Sequence, residues 1–435
     1  MVTPKQRSTF SIASYRYGRI VAGTACLLLC CLLLLPNFAD AAYTVSEKVY
    51  RDLTQAQTYV DKNQPQRAID LLKKTAQQES LTDYEKAMVY NQLGYNYYQA
   101  NQADKAIESF AQVVAIKNMP QALQQSSLYT LAQIYFKNEQ YQKAIDTLRR
   151  WFTIAKNPSE EAYAFLAQAY YQTNNHRLVV DNINKALDIL EAKNLTPIEQ
   201  WLVMLQSSYS ELGLIDHRVN VMKWLIRIYP KKDYFLALAT AYGLLDKRSK
   251  QLAVMEIAYR KGFLEQSSEL LTLASLLFSE GAPYKAAKVL AKGIEEKKIP
   301  ATIRNLKFLA SAWIDAKEYE KSIPVLKRAA GMATHGEIDI MVGNSYFNIG
   351  DWQAAAEAFQ AALEKGDIDQ PEKIWLLVGQ CYLNLKQFAT AEKIFAEAVK
   401  FETIKEKAQK WLRYVSLEHQ RYRAYQAFQS QQSNP

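Results

Sequence analysis

A chain of 435 residues, 49% of them hydrophobic, can bury a large core, and a net charge of +9 is too mild for a nucleic-acid-binding surface. Only 14 glycines and 12 prolines punctuate it, too few for the turns of an all-β sandwich or a strand–helix alternation of this length. Long helices joined by short turns remain.

The first element is an export signal. Lys5, Arg7, Arg16 and Arg19 precede an apolar run from Ile20 to Leu35, which Pro36 breaks, and Ala39 and Ala41 supply the small residues that a signal peptidase reads. Residues 1–41 are therefore expected to be a Sec-type signal, with a short leader over 42–48. The other reading is an uncleaved inner-membrane anchor, since 16 apolar residues reach the lower limit of a spanning helix. In both cases the basic flank stays in the cytoplasm and the remainder faces the periplasm. Cys26, Cys30 and Cys31 all lie in this segment, which leaves Cys381 alone and excludes an internal disulfide in the exported part.

From Val49 onward one pattern repeats. In the segment numbered from Glu372, apolar or small residues occupy positions 4, 7, 8 and 11 (Trp375, Val378, Gly379, Tyr382) and 20, 24 and 27 (Ala391, Phe395, Ala398). Spacings of 3, 4 and 7 put each set on one face of a helix, giving two amphipathic helices and a turn. Small residues at 8 and 20 let the backbones approach, and large ones at 4, 7, 11 and 24 fill the space beside that contact. The template fits from Ala87, Gln125, Glu160, Ser267, Ile303 and Gly336, and more weakly from Val49, Glu199 and Lys232. In the weak units Gln206, Arg218 and Gln251 stand where small residues belong. Ten units result, with starts 33 to 39 residues apart.

Turn chemistry agrees. Position 15 is Asn63, Asn101, Asn174, Gly213, Gly281 or Gly350 in six of the ten units, residues that tolerate the left-handed end of a helix. Pro65 and Pro283 fall where a proline opens the second helix, and Thr196-Pro197-Ile198-Glu199 has the form of a capping box. A capping helix is expected over 406–428 and an unordered tail over 429–435. The organisation predicted is regular repeats over 49–198, degenerate basic repeats over 199–266 and regular repeats again over 267–405.

This pattern resembles the tetratricopeptide (TPR) repeat across essentially all of residues 49–405. The resemblance implies an all-α, right-handed superhelical solenoid whose first helices line a concave groove holding peptides or partner proteins. A narrower likeness covers 231–299, with the run Gly281-Ala282-Pro283-Tyr284-Lys285-Ala286-Ala287 as its most distinctive part. It is to bacterial periplasmic TPR proteins associated with TonB systems, for which no catalytic residues are known.

Groove geometry taken from the family places positions 5, 9 and 12 on the concave side. In the second to fourth units these are Asn91, Tyr95 and Tyr98, then Tyr129, Gln133 and Phe136, then Gln168 and Tyr171. Amides pair with an extended peptide backbone and rings add apolar contact. The competing reading is that these rings only pack between neighbouring repeats. A second candidate is charge. Arg218, Lys223, Arg227, Lys231 and Lys232, with Lys247, Arg248, Lys250, Arg260 and Lys261, face only Asp233, Asp246 and Glu256, a net +7 over 218–262. An acidic protein surface or anionic headgroups would suit it; a solvated basic face is the alternative.

Signs of catalysis are few. The four histidines lack partners at metal-ligand spacing, Gly331 and Gly336 precede Glu337 where a phosphate loop needs lysine, and no Gly-x-Ser-x-Gly occurs. The expectation is a non-enzymatic periplasmic scaffold without cofactor or metal. Its partners would be envelope proteins, with TonB-system proteins suggested by the likeness. An adaptor for envelope assembly or polysaccharide secretion, a cell-wall-acting enzyme, and membrane association through an uncleaved N-terminus or the basic stretch are the other readings.

Overall fold

The computed structural model describes residues 43–432; the expected signal and the last three residues lie outside the described residues. Every regular element described is helical. The chain divides into two compact units, one ending at Asn175 and one beginning at His176. The division falls inside the fourth repeat, where the sequence pattern suggested a change of character only at 198/199.

The first unit holds α1 (Glu47–Asp61), α2 (Pro65–Ala76), α3 (Asp83–Gln99), α4 (Ala103–Ala115), α5 (Gln121–Lys137), α6 (Tyr141–Ile154) and α7 (Glu160–Gln172). The second begins with α8 (His176–Ala192), α9 (Glu199–Glu211), α10 (Ile215–Ile228), α11 (Lys232–Leu244) and α12 (Arg248–Arg260). It continues with α13 (Ser267–Ser279), α14 (Pro283–Glu295), α15 (Ile303–Asp315), α16 (Tyr319–Ala330), α17 (Glu337–Ile349), α18 (Trp352–Lys365), α19 (Pro371–Asn384) and α20 (Phe388–Ala398). The last helix, α21, spans Lys405–Gln432. Within the two units the helices pair in sequence as nine of the ten expected hairpins, the fourth being divided between the units, and five first helices begin on the residue that opens their sequence unit.

Where position 20 is small, the hairpin closes on the predicted contact. Ala68, Ala106, Ala144, Ala286, Ala355 and Ala391, all at position 20, are fully buried. Position 8 and position 24 are matched in size. Where position 8 is glycine, position 24 is phenylalanine: Gly94 with Phe110, Gly343 with Phe359, Gly379 with Phe395. A Cβ on any of these glycines would lie 2.5–2.6 Å from the facing ring. Where position 8 is Ala132, Ala274 or Ala310, position 24 is Leu148, Leu290 or Leu326. Burying such a side chain contributes about 1.5–3 kcal/mol, so the pairing conserves a large local term.

The turn between paired helices is the same in all ten repeats. The N–H at position 16 donates to the carbonyl at position 11, for instance Gln64 to Tyr59 and Gln387 to Tyr382, at 2.8–3.0 Å. This wraps the helix end onto itself and requires a left-handed residue between. The six predicted Asn and Gly residues take that conformation, and so do Glu139, Asp246, Lys317 and Lys386, with φ of 51–63°.

Two expectations need correction. Thr196 does not cap α9: its N-cap is Ile198, whose aliphatic side chain has no acceptor, and Glu199, the other half of the expected box, is held instead by Lys231 and Tyr234 of the next repeat. A capping box does form at Thr82, whose hydroxyl accepts from Glu85 N–H while Glu85 accepts from Thr82 N–H at 2.9 Å. The tail is helical further than expected, since α21 continues through Gln432. That helix covers the tenth repeat with Ala408 and Val415, both fully buried, and stacks Trp411 on Phe395 at 5.7 Å between centroids.

Candidate binding surfaces

In the first unit, α3, α5 and α7 carry the eight predicted groove residues. The structure divides these residues into two groups. Positions 3 and 6 of one first helix reach back to the first helix before it. Ser127 donates to Asn91 Oδ1 at 3.2 Å, Thr130 and Tyr95 share a hydroxyl hydrogen bond at 3.2 Å, and Gln92 donates to the Leu53 carbonyl at 3.2 Å. Through the same register Phe165 of α7 meets both Tyr129 and Phe136 of α5, at centroid separations of 5.7 and 5.5 Å. Tyr129 also touches Trp151 at 5.3 Å, and Phe136 touches Tyr141 at 5.2 Å. Tyr129 and Phe136 are therefore half-buried members of an aromatic cluster that joins the third and fourth repeats. The packing reading holds for these two.

The remaining residues face outward to different degrees. Tyr95 is exposed, with its ring edge-on to Phe110 at 5.1 Å. Tyr98 is half-buried; Lys137 lies 4.9 Å from its ring centroid and donates to its hydroxyl at 3.1 Å. Gln133 is exposed and Gln168 half-buried, and neither amide forms a side-chain hydrogen bond among the described residues. Tyr171 is half-buried. The surface thus offers two unengaged amides, one exposed phenol and one lysine-capped phenol. Phe165, which decides which rings stay available, was overlooked in the sequence. Its signal is the position-6 register, where the two preceding units carry Gln92 and Thr130.

The basic stretch lies in the second unit on α10, α11 and α12, and half of it is already engaged. Lys231 donates to Glu199 at 2.7 Å, Lys232 pairs with Glu269 at 2.8 Å, Lys247 with Asp216 at 3.0 Å and Arg248 with Asp246 at 3.2 Å. Arg218 is half-buried and donates from Nε to Gln206 Oε1 at 3.2 Å, so the two residues that break the small-residue rule satisfy one another. Gln251, the third misfit, packs over Gly243, where an added Cβ would come within 3.0 Å of its amide. Burial works to raise the pKa of Glu199, but the hydrogen bonds from Lys231 and Tyr234 outweigh it and hold the carboxyl below its ordinary value. Arg260 donates to the Glu256 backbone carbonyl at 3.4 Å. Lys223, Arg227, Lys250 and Lys261 are exposed and have no side-chain partner among the described residues. Trp224 and Ile257 are exposed beside them, both at position 26, which is a charged or amide residue in seven of the other eight repeats and Ala361 in the eighth.

Among the described residues no group of three or more His, Cys, Asp or Glu side chains could hold a metal ion, and no helix is long and apolar enough to cross a membrane. Burial pushes the Cys381 thiol up to about 12, which keeps it an inert core residue.

Known proteins resemble the chain at the level of its repeats. A family model described as the SusR N-terminal TPR domain matches residues 37–157, and one described as the tetratricopeptide repeat matches residues 341–406. No curated protein matches. Among solved structures, a tetratricopeptide repeat protein from Parabacteroides merdae is 16% identical and covers 61% of this chain and 99% of its own, with a TM-score of 0.35. YrrB, described as a TPR protein with an unusual peptide-binding site, is 14% identical over 39% of this chain and 83% of its own, at 0.33. The TPR2AB domain of yeast Sti1, solved with pHSP90, is 15% identical over 59% of this chain and 98% of its own, at 0.33.

Proposed function

Because the chain is a tetratricopeptide-repeat protein, we propose that it is a non-enzymatic scaffold that holds a protein or peptide partner across the first helices of its second to fourth repeats. The observation that carries the reading is the pair of unengaged amides, Gln133 and Gln168, in register with Tyr95 and the lysine-capped Tyr98. An extended peptide presents an N–H and a C=O at every residue, and an amide side chain can answer both. The exposed phenol adds apolar contact at low entropic cost.

We further propose that this scaffold works in the periplasm, as an accessory of TonB-dependent outer-membrane uptake. The basic–apolar–small layout of residues 1–41 supports export. The likeness of residues 231–299 to TonB-associated TPR proteins supports the choice of partner. Affinity capture from envelope extracts tests both levels. The parent protein should retain TonB-system proteins, and a Tyr95→Ala/Gln133→Ala variant should lose them with its helicity unchanged. Equal recovery by both proteins removes the groove assignment. Recovery of none of these proteins by the parent removes the TonB assignment.

A further inference from the structure

The end of the second unit is covered by a helix with two apolar faces. Along α21, Ala408, Trp411, Val415 and Tyr422 turn toward the tenth repeat, with Tyr422 5.2 Å from Phe388. A different stripe runs through Lys407, Lys410, Tyr414, Leu417, Arg421 and Phe428, with Ala424 between the last two. Its spacing alternates three and four residues, the 3.5-residue period of a helix–helix seam. Tyr414, Leu417 and Phe428 on this stripe are 50%, 54% and 57% exposed, and Tyr425 beside it is 56% exposed. A helix that merely closes a repeat array presents a polar outer face, whereas this one exposes Tyr414, Leu417, Tyr425 and Phe428 among its cations.

The order of residues along the stripe selects the occupant. Lys407 and Lys410 lie at its N-terminal end and Phe428 at its C-terminal end, and Tyr414 and Leu417 stand where Ala424 and Arg421 fall when the stripe is read backwards, so it is complementary to itself in that sense. We propose that α21 pairs antiparallel with α21 of a second copy of this chain, making the protein a two-fold dimer. In that pairing Lys410 of each copy lies over Phe428 of the other, Tyr414 meets the small Ala424, and Leu417 lies along the stem of Arg421. Each contact joins a cation to a ring or an aliphatic stem, or a large residue to a small one. Arg421 keeps its own Glu418, 2.7 Å away, and Lys407 and Lys410 are exposed with no side-chain partner among the described residues. A parallel pair would set Lys407, Lys410 and Arg421 against their own copies. The neighbouring antiparallel register would set Lys410 against Arg421. The helix carries a net +4, from Lys405, Lys407, Lys410, Arg413, Arg421 and Arg423 against Glu406 and Glu418, so salt should tighten the dimer by screening this repulsion.

Sedimentation and light scattering of the purified protein test the association. The mass should be that of two chains at micromolar concentration and should hold or rise with added salt. A Tyr425→Ser/Phe428→Ser variant, altered only at exposed positions, should give the mass of one chain with unchanged helicity. Cysteine pairing tests the direction. Lys410→Cys and Phe428→Cys, each alone, should form no cross-linked dimer, because a residue at 428 lies roughly 27 Å from its own counterpart in this register. The two variants mixed should cross-link. Cys381 is buried and does not interfere. A monomeric parent, a dimer indifferent to the serine substitutions, or self-cross-linking of either single variant overturns the proposal. So does a monomer whose Tyr425 and Phe428 are needed to bind anionic vesicles or an acidic amphipathic peptide, since the stripe would then belong to that occupant.

Discussion

The matched sizes at positions 8 and 24 give the sharpest test of how these hairpins are built. Gly94→Ala places a methyl group 2.6 Å from Phe110 Cε2, 2.7 Å from Cδ2 and 2.9 Å from Cζ. The ring is fully buried, so it cannot swing into solvent. Two effects oppose each other. Alanine gains about 1 kcal/mol of helix propensity over glycine, while overpacking a closed core costs about 1–3 kcal/mol. Contacts this short fall in the upper part of that range, so the single substitution should lose about 1–2 kcal/mol net. Phe110→Leu alone should also lose about 1–2 kcal/mol, through the void left by the ring. Together they rebuild the Ala132/Leu148 pairing of the third repeat, so the double variant should be markedly better than the sum, with a coupling of about 1–2 kcal/mol. Urea unfolding followed by circular dichroism measures the total. Because repeat arrays open in parts, amide exchange of α3 and α4 should show the loss concentrated there. A Gly94→Ala protein as stable as the parent, or a strictly additive double variant, would refute the steric matching.

Two further outcomes follow from the polar contacts. Burial acts to raise the pKa of Glu85, but hydrogen bonds from Ser46 and Thr82 outweigh it and hold the carboxyl below its ordinary value. A group depressed in the folded state adds stability above its unfolded pKa and loses it as pH falls through the folded one. Acid unfolding of the first unit should therefore set in below about pH 4, and Glu85→Gln should flatten that limb and cost roughly 1 kcal/mol at neutral pH. An unaltered acid limb, read by tyrosine fluorescence, would exclude Glu85 as its source. Gln206→Ala should cost about 1–3 kcal/mol by leaving the half-buried Arg218 without its acceptor. Gln206→Ala/Arg218→Ala should recover most of that in thermal melts, because it restores the small-residue contact of other repeats.

Much of this architecture was legible because it rests on local period. The spacing that places Trp375, Val378, Gly379 and Tyr382 on one helix face is fixed by 3.6 residues per turn, and the same spacing set the hairpin boundaries. The turns were legible only in part. Asn63 and Gly281 announce a left-handed residue, whereas Glu139, Lys317 and Lys386 do not. In those repeats the approach of the paired helices imposes the conformation, and a non-glycine residue bears about 1–2 kcal/mol of strain. The binding surface was legible as a face and not as a set of free side chains. Position 12 correctly put Phe136 on a first helix, but its availability depends on a ring 29 residues away in the next repeat. Charge behaved in the same way: ten cations in a stretch say nothing of Asp216, Glu199 and Glu269 beyond or beside it, which engage three of them.

The two degenerate repeats show what the template actually constrains. Position 20 is small in most repeats because it faces position 8 at close range, yet Arg218 and Gln251 both occupy it without disturbing the hairpin. Each is answered by a change on the facing helix. Gln206 supplies an acceptor for Arg218, and Gly243 vacates the volume that Gln251 fills. The answering residue sits at position 8 in one case and at position 12 in the other, one helical turn apart. The rule obeyed is therefore conservation of contact between two faces and not of residue type at any one position. Compensation of this kind closes within a single hairpin, which leaves the outward positions of the same repeats free to vary. That freedom is visible at position 26, where Trp224 and Ile257 stand exposed in place of charged or amide side chains. Repeats that meet their packing needs by unusual internal pairs can thus present an unusual surface at no further cost to the stack.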